Sequence, residues 1–239
     1  MNSGEKIGQK TVSDEVIEHI ISGIKEGTFQ PGEKLPSEKE LAKEFGLSRA
    51  SIREAIQKLS MLGILEVKHG KGSYITENPS LEPLKEIVSP LLISGGIGVL
   101  ELLEARKTIE GGTASIAAEK ANSEDIKELA TILKSMEQAR VAKDIEEYSS
   151  LDLKFHLTIS KISNNTILHR MVKTIRDLIY EQQVEMNKYP EIISSAMKFH
   201  IKIFNAIKQA NGEEAANHME RHLETVQKDY MDMKELLEI

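Results

Sequence analysis

Apolar positions along the first third of the chain change period twice. Over residues 11–26, Val12, Val16, Ile17, Ile20, Ile21 and Ile24 share one helical face, and the pattern stops before Gly27 and Pro31-Gly32. That predicts an amphipathic helix closed by turn residues. From Pro36 the spacing predicts a second helix, a tight turn and a third helix. Ser37 with Glu40 forms a capping box, and Ser48 stands where it can cap the third helix. Ala42, Gly46 and Ile52 supply the small residue, the positive-φ turn and the apolar anchor of a helix-turn-helix. Ile64–Lys68 and 73–76 then alternate like two short strands around His69-Gly70-Lys71-Gly72, a hairpin or wing.

After Glu77-Asn78-Pro79-Ser80 the period is helical to the end. Segments over 81–94, 98–120, 123–142, 144–162, 165–188, 191–210 and 213–236 are separated by Gly95-Gly96, Asn164-Asn165, Pro190 and Asn211-Gly212, with Ser123 and Asp144 as expected N-caps. The expected fold is mainly α. A winged helix-turn-helix domain occupies 1–78, and an all-α antiparallel helical bundle occupies 79–239. Gly111-Gly112 inside a helix is locally unfavourable, which points to close helix packing or to room for a ligand.

On the third helix, Arg49 and Arg53 lie one turn apart, opposite Ile52, Ala55, Ile56 and Leu59. A buried back and two guanidinium groups in front suit a helix entering the major groove of double-stranded DNA. The overall charge of −7 argues the other way, but its distribution matters more than its sum. Residues 1–78 carry eleven Lys/Arg against twelve Asp/Glu, and from Arg49 to Lys71 the basic residues Arg49, Arg53, Lys58, Lys68 and Lys71 outnumber Glu54 and Glu66. A small basic footprint on a neutral domain fits specific binding.

The bundle carries polar residues within apolar stripes. Asp152 and His156 interrupt Tyr148, Phe155 and Ile159; His200 falls among Ile193, Met197, Phe204 and Ile207; His222 falls among Ala215, Met219, Leu223, Val226 and Tyr230. Three imidazoles and a carboxylate on three inward faces suit a divalent ion such as Zn, Ni or Mn, with positions left open for a ligand. Hydrogen-bonded core histidines are the alternative, although an unpaired buried carboxylate is costly. His218 aligns with Glu214, Arg221 and Thr225 on a polar face and reads as solvated, and His169 as structural or exposed. Arg106 sits within Leu102, Leu103, Ile109 and Thr113. Its charge needs either Glu110 one turn later or the carboxylate of a bound metabolite. With no cysteine, no disulfide or thiolate ligand is available, and no apolar run reaches the ~20 residues of a membrane span. A cytoplasmic protein is expected.

These residues together resemble the GntR family of bacterial transcriptional regulators, in its FadR-type branch with an all-helical FCD domain. The N-terminal likeness rests on P-G-E-K-L-P-S-E-K-E-L-A, S-R-A-S-I-R-E-A-I and H-G-K-G, and the C-terminal likeness on E-A-R-K-T-I-E, D-L-K-F-H, His200 and M-E-R-H-L. The resemblance implies operator contacts from Lys39, Arg49, Arg53, His69 and Gly70, with Ser48 and Ser51 beside them. Lys68 and Lys71 on the wing are expected on phosphate or in the minor groove. It implies metal ligation by Asp152, His156, His200 and His222, a set that acyl-CoA-binding members lack, and an effector carboxylate at Arg106. It further implies a homodimer on a palindromic operator, released by a small organic acid as in a metabolite-responsive repressor. A purely structural metal in a dimerisation domain, or a metalloenzyme fused to a DNA-binding domain, are the competing readings.

Overall fold

A computed structural model of the chain describes residues 11–77, 85, 88–90 and 98–236. Its contacts divide into two units, Met1–Pro83 and Leu84–Ile239. The boundary signal at Asn78-Pro79-Ser80 and the Gly95-Gly96 break lie outside the described residues. So does the helix expected over 81–94, apart from helical residues 85 and 88–90.

In the first unit, α1 (Val12–Lys25) opens with a capping box at Thr11 and Asp14. It buries Val16 and Ile20 but leaves Val12 exposed, because Val12 is its first residue and overhangs the core. The helix α2 (Glu38–Phe45) has the expected Ser37–Glu40 capping box and ends at Gly46, whose φ of 66° closes the turn. Helix α3 (Arg49–Met61) starts at Ser48, whose hydroxyl accepts from the Ser51 amide. Ile52, Ala55, Ile56 and Leu59 face α1 and α2 and join Leu35, Leu41, Leu65 and Ile75 in one core. Strands β1 (Leu65–Lys68) and β2 (Gly72–Ile75) pair antiparallel with Leu65 opposite Ile75 and Lys68 opposite Gly72. The helix-turn-helix and wing therefore stand as the periodicity predicts.

The second unit contains α4 (Val99–Lys120), α5 (Ser123–Ala142), α6 (Ile145–Ile162), α7 (Thr166–Leu178), α8 (Tyr180–Met186), α9 (Pro190–Lys208) and α10 (Gly212–Leu236). Asp144 caps α6 as expected, but Asn122, not Ser123, caps α5, accepting from the amides of Glu124 and Asp125. The single helix expected over 165–188 is two helices. Ile179 departs from helical geometry (φ −112°, ψ 13°) although neither Gly nor Pro marks the break. Long α4 packs along α10, and both meet α9, while α6 packs between α4, α5 and α7. Of the two mid-helix glycines, Gly111 has a packing role: a Cβ there would stand 2.9 Å from Glu220 Cγ on α10. Gly112 faces open space.

Candidate functional site

Four polar side chains converge in the centre of the second unit. Helix α6 supplies Asp152 and His156 one turn apart, α9 supplies His200 and α10 supplies His222, each 1% exposed or less. Their apolar neighbours Phe155, Ile159, Ile203 and Met219 bury those faces, and so carry the polar residues inward. One potential ligand atom from each lies within 4.8 Å of the others. The imidazole centroids are 4.6 Å apart for His200 and His222, and 5.3 Å for His156 with either.

The donor atoms are in the state a cation needs. Burial lowers His200 to about 3, and it holds His156 and His222 below the ordinary imidazole range as well. Burial opposes the charge on Asp152, but the Arg176 guanidinium, by its charge and its hydrogen bond, overcomes it and keeps the carboxyl below its usual range. Three neutral rings thus face one carboxylate. Arg176 Nη2 donates to Asp152 Oδ2 at 2.5 Å, and Oδ1 lies 3.2 Å from His200 Nε2 and 3.9 Å from His156 Nε2. The 3.2 Å approach is not a hydrogen bond: His156 Nε2 and both nitrogens of His200 and His222 are buried without a hydrogen-bond partner. Orphaned nitrogens on three rings around one carboxylate are expensive as a plain core, and a divalent metal taking one nitrogen from each ring would satisfy three of the five.

Arg106, on α4 and fully buried, takes the internal partner that its spacing allows. Its Nε donates to Glu110 Oε1 at 2.6 Å and its Nη1 to Gln183 Oε1 at 3.3 Å, while Nη2 has no partner. Two residues of this site, Arg176 and Gln183, were not singled out from the pattern, and Glu110, expected only as the partner of Arg106, does more than that. Glu110 also approaches His156 Nδ1 at 2.5 Å with its second oxygen. Arg176 holds Asp152 from α7, and its Nη1 is a further orphan. Gln183 comes from α8. Arg176 follows Val172 by one turn on a buried face, which is the signal that could have found it. His218 is half-buried and pairs with Glu214 at 3.2 Å, so it is less solvated than its face suggests. His169 contacts Ser160 Oγ through Nδ1 at 2.9 Å and belongs to local structure.

On the first unit, Arg49 and Arg53 project from α3 with side chains 64% and 57% exposed. Lys39 is exposed on α2, and His69, Gly70 and Lys71 are exposed at the tip of the wing. Lys68 pairs with Glu66 at 3.2 Å and lies over the Tyr74 ring, so the wing holds it flat. The hydroxyls of Ser48 and Ser51 are 3.0 Å apart at the start of α3, spent on each other and on the cap. Lys58 does not belong to the basic footprint. It turns back to Ser13, Asp14 and Glu54 and ties α3 to α1.

Comparison with known proteins matches both units. Residues 12–75 match the family of bacterial regulatory proteins of the gntR type, and residues 101–225 match the FCD domain. The chain is 33% identical to the HTH-type transcriptional regulator LutR of Bacillus subtilis over 85% of its own length and 94% of that protein. It is 29% identical to the Uxu operon regulator of Haemophilus influenzae, over 89% of this chain and 79% of the relative. The solved structure of a Streptococcus agalactiae GntR protein superposes with a TM-score of 0.70 at 27% identity, covering 91% of this chain and 99% of that one.

Proposed function

The chain belongs to the gntR family of bacterial regulatory proteins with an FCD domain and is a transcriptional regulator, and on that premise we propose that it is a cytoplasmic, FadR-type repressor whose helical domain holds a divalent metal and a small carboxylate effector. The winged domain spans 1–78 and the helical domain 79–239. As a homodimer it places two α3 helices in successive major-groove half-sites of a palindromic operator. Arg49 and Arg53 read bases, each worth about 1–3 kcal/mol of discrimination when bidentate to guanine. Lys39, Ser48, Ser51, Lys68, His69, Gly70 and Lys71 line the remainder of the contact.

The observation that carries the metal reading is the set of orphaned imidazole nitrogens around Asp152 Oδ1. Asp152, His156, His200 and His222 would hold Zn, Ni or Mn. Such an ion, when bound, supplies a Lewis-acidic centre for a carboxylate. The free Nη2 of Arg106 donates to the far end of that acid. Regulation follows from the effector's unequal affinity for DNA-competent and DNA-incompetent states.

The test is operator binding by the purified protein against a panel of small carboxylates, with and without a chelator. The expected result is release by one acid, lost on chelation and in an Arg106→Ala variant. A second reading, a structural metal without an effector, is favoured by the Arg106–Glu110 ion pair, which already satisfies part of the guanidinium. Binding that ignores every acid yet weakens on chelation would select that reading.

A further inference from the structure

The carboxylate of Glu38, at the first position of α2, sits against the reading face of α3. It accepts from Arg53 Nε at 3.2 and 3.3 Å and from Arg53 Nη2 at 2.9 Å, whereas Arg49 Nη2 stays 3.9 Å away. Glu38 thus engages the side edge of one guanidinium. That uses two of the five N–H donors and leaves the end-on edge, Nη1 with the second Nη2 hydrogen, pointing outward. Either edge can bond guanine O6 and N7 together, and with the side edge taken by Glu38 the end-on edge is the one left to do so.

From this geometry we infer that Glu38 is a specificity-determining positioning residue, which fixes Arg53 end-on for a guanine while Arg49, 3.9 Å from the same carboxylate, is held only loosely. The inference rests on the base-reading role proposed for Arg53. Two further observations support it. Arg53 is exposed and Glu38 half-buried, so their ion pair adds little to folding; the first turn of α2 favours an acid, but that does not require the acid to engage Arg53. An acid there also repels phosphate, so it weakens sequence-independent binding. That cost is offset if the carboxylate restrains Arg53. An unrestrained guanidinium can swing to the backbone, where contacts add affinity without sequence information. The hydrogen bond to Arg53 also keeps the Glu38 carboxyl below its usual range, so it stays ionised in the groove.

The experiment is selection of binding sites from randomised duplexes by the full-length protein, with Arg53→Ala, Glu38→Gln, Glu38→Ala and Glu38→Asp alongside. Arg53→Ala should erase guanine preference at one position of each half-site. Glu38→Ala should lose about tenfold discrimination at that same position alone. It should also bind random duplex more tightly than the unaltered protein. Glu38→Gln should show the same in weaker form, and Glu38→Asp should recover part of the preference. Thermal melting of all four should match the unaltered protein, which separates positioning from folding. If Glu38→Ala keeps the preference that Arg53→Ala erases, or shifts every position equally, the inference is overturned. If Arg53→Ala erases no preference, the base-reading assignment fails first and takes this inference with it.

Discussion

Glu110 and His156 lie on different helices, 46 residues apart, with Glu110 Oε2 2.5 Å from His156 Nδ1. The same carboxylate accepts from Arg106 Nε through its other oxygen. One buried acid therefore joins the arginine proposed to grip an effector to an imidazole proposed to grip a metal. A hydrogen bond at Nδ1 leaves Nε2 as the free nitrogen of His156, and that atom faces Asp152.

Glu110→Gln keeps the shape of this contact and removes its charge. We expect metal affinity to fall by about 10–100-fold, the range found when a partner behind a ligating histidine is lost. Titration of the metal-free protein with Zn²⁺ or Ni²⁺ measures it, and unchanged affinity would show that Glu110 serves Arg106 alone.

Arg176→Met removes the charge that holds Asp152 and leaves a buried carboxylate without its main partner. Breaking such a pair costs about 3–5 kcal/mol. The loss should be largest in metal-free protein and partly recovered when a divalent ion is added, because the ion then neutralises Asp152. Urea melts with and without metal decide it; equal losses in both conditions would sink the assignment of Asp152 as a ligand.

Acid should destabilise the metal-free protein. His200 is lowered from 6.5 to about 3 by burial, and His156 and His222 are lowered in the same direction. Below 6.5 the unfolded chain takes up protons that the native rings refuse, so stability falls as pH drops from about 6.5 towards 3. Asp152 and Glu110, both held below their usual range, act with the same sign at lower pH. Urea midpoints in chelator at pH 7.5 and 5.0 check this, with the lower midpoint expected at 5.0.

Ile52→Ala removes a fully buried side chain from the core behind α3. A cost of about 2–5 kcal/mol is expected, with operator binding lost as the winged unit unfolds. Denaturation monitored separately for the two units should show the winged one melting earlier and the helical one unmoved.

What the sequence determined by itself is what local physics reads directly. The capping boxes, the positive φ at Gly46, the strand alternation around His69-Gly70 and the apolar stripes of α6, α9 and α10 each depend on residues within a turn or two of one another. The inward set Asp152, His156, His200 and His222 was legible for the same reason, since a polar residue inside an apolar stripe shares its direction. Tertiary structure alone decided who meets whom. Arg176 lies 24 positions from Asp152, Glu110 lies 46 from His156, and Glu38 lies 15 from Arg53. Nothing local to any of these residues names its partner, because helix packing brings the charges together and periodicity supplies only their direction. The return of Lys58 towards α1 belongs there too, since it answers to packing against another element, and Ile179, at the helix break, is buried against Leu102, Leu103 and Val226 of other helices.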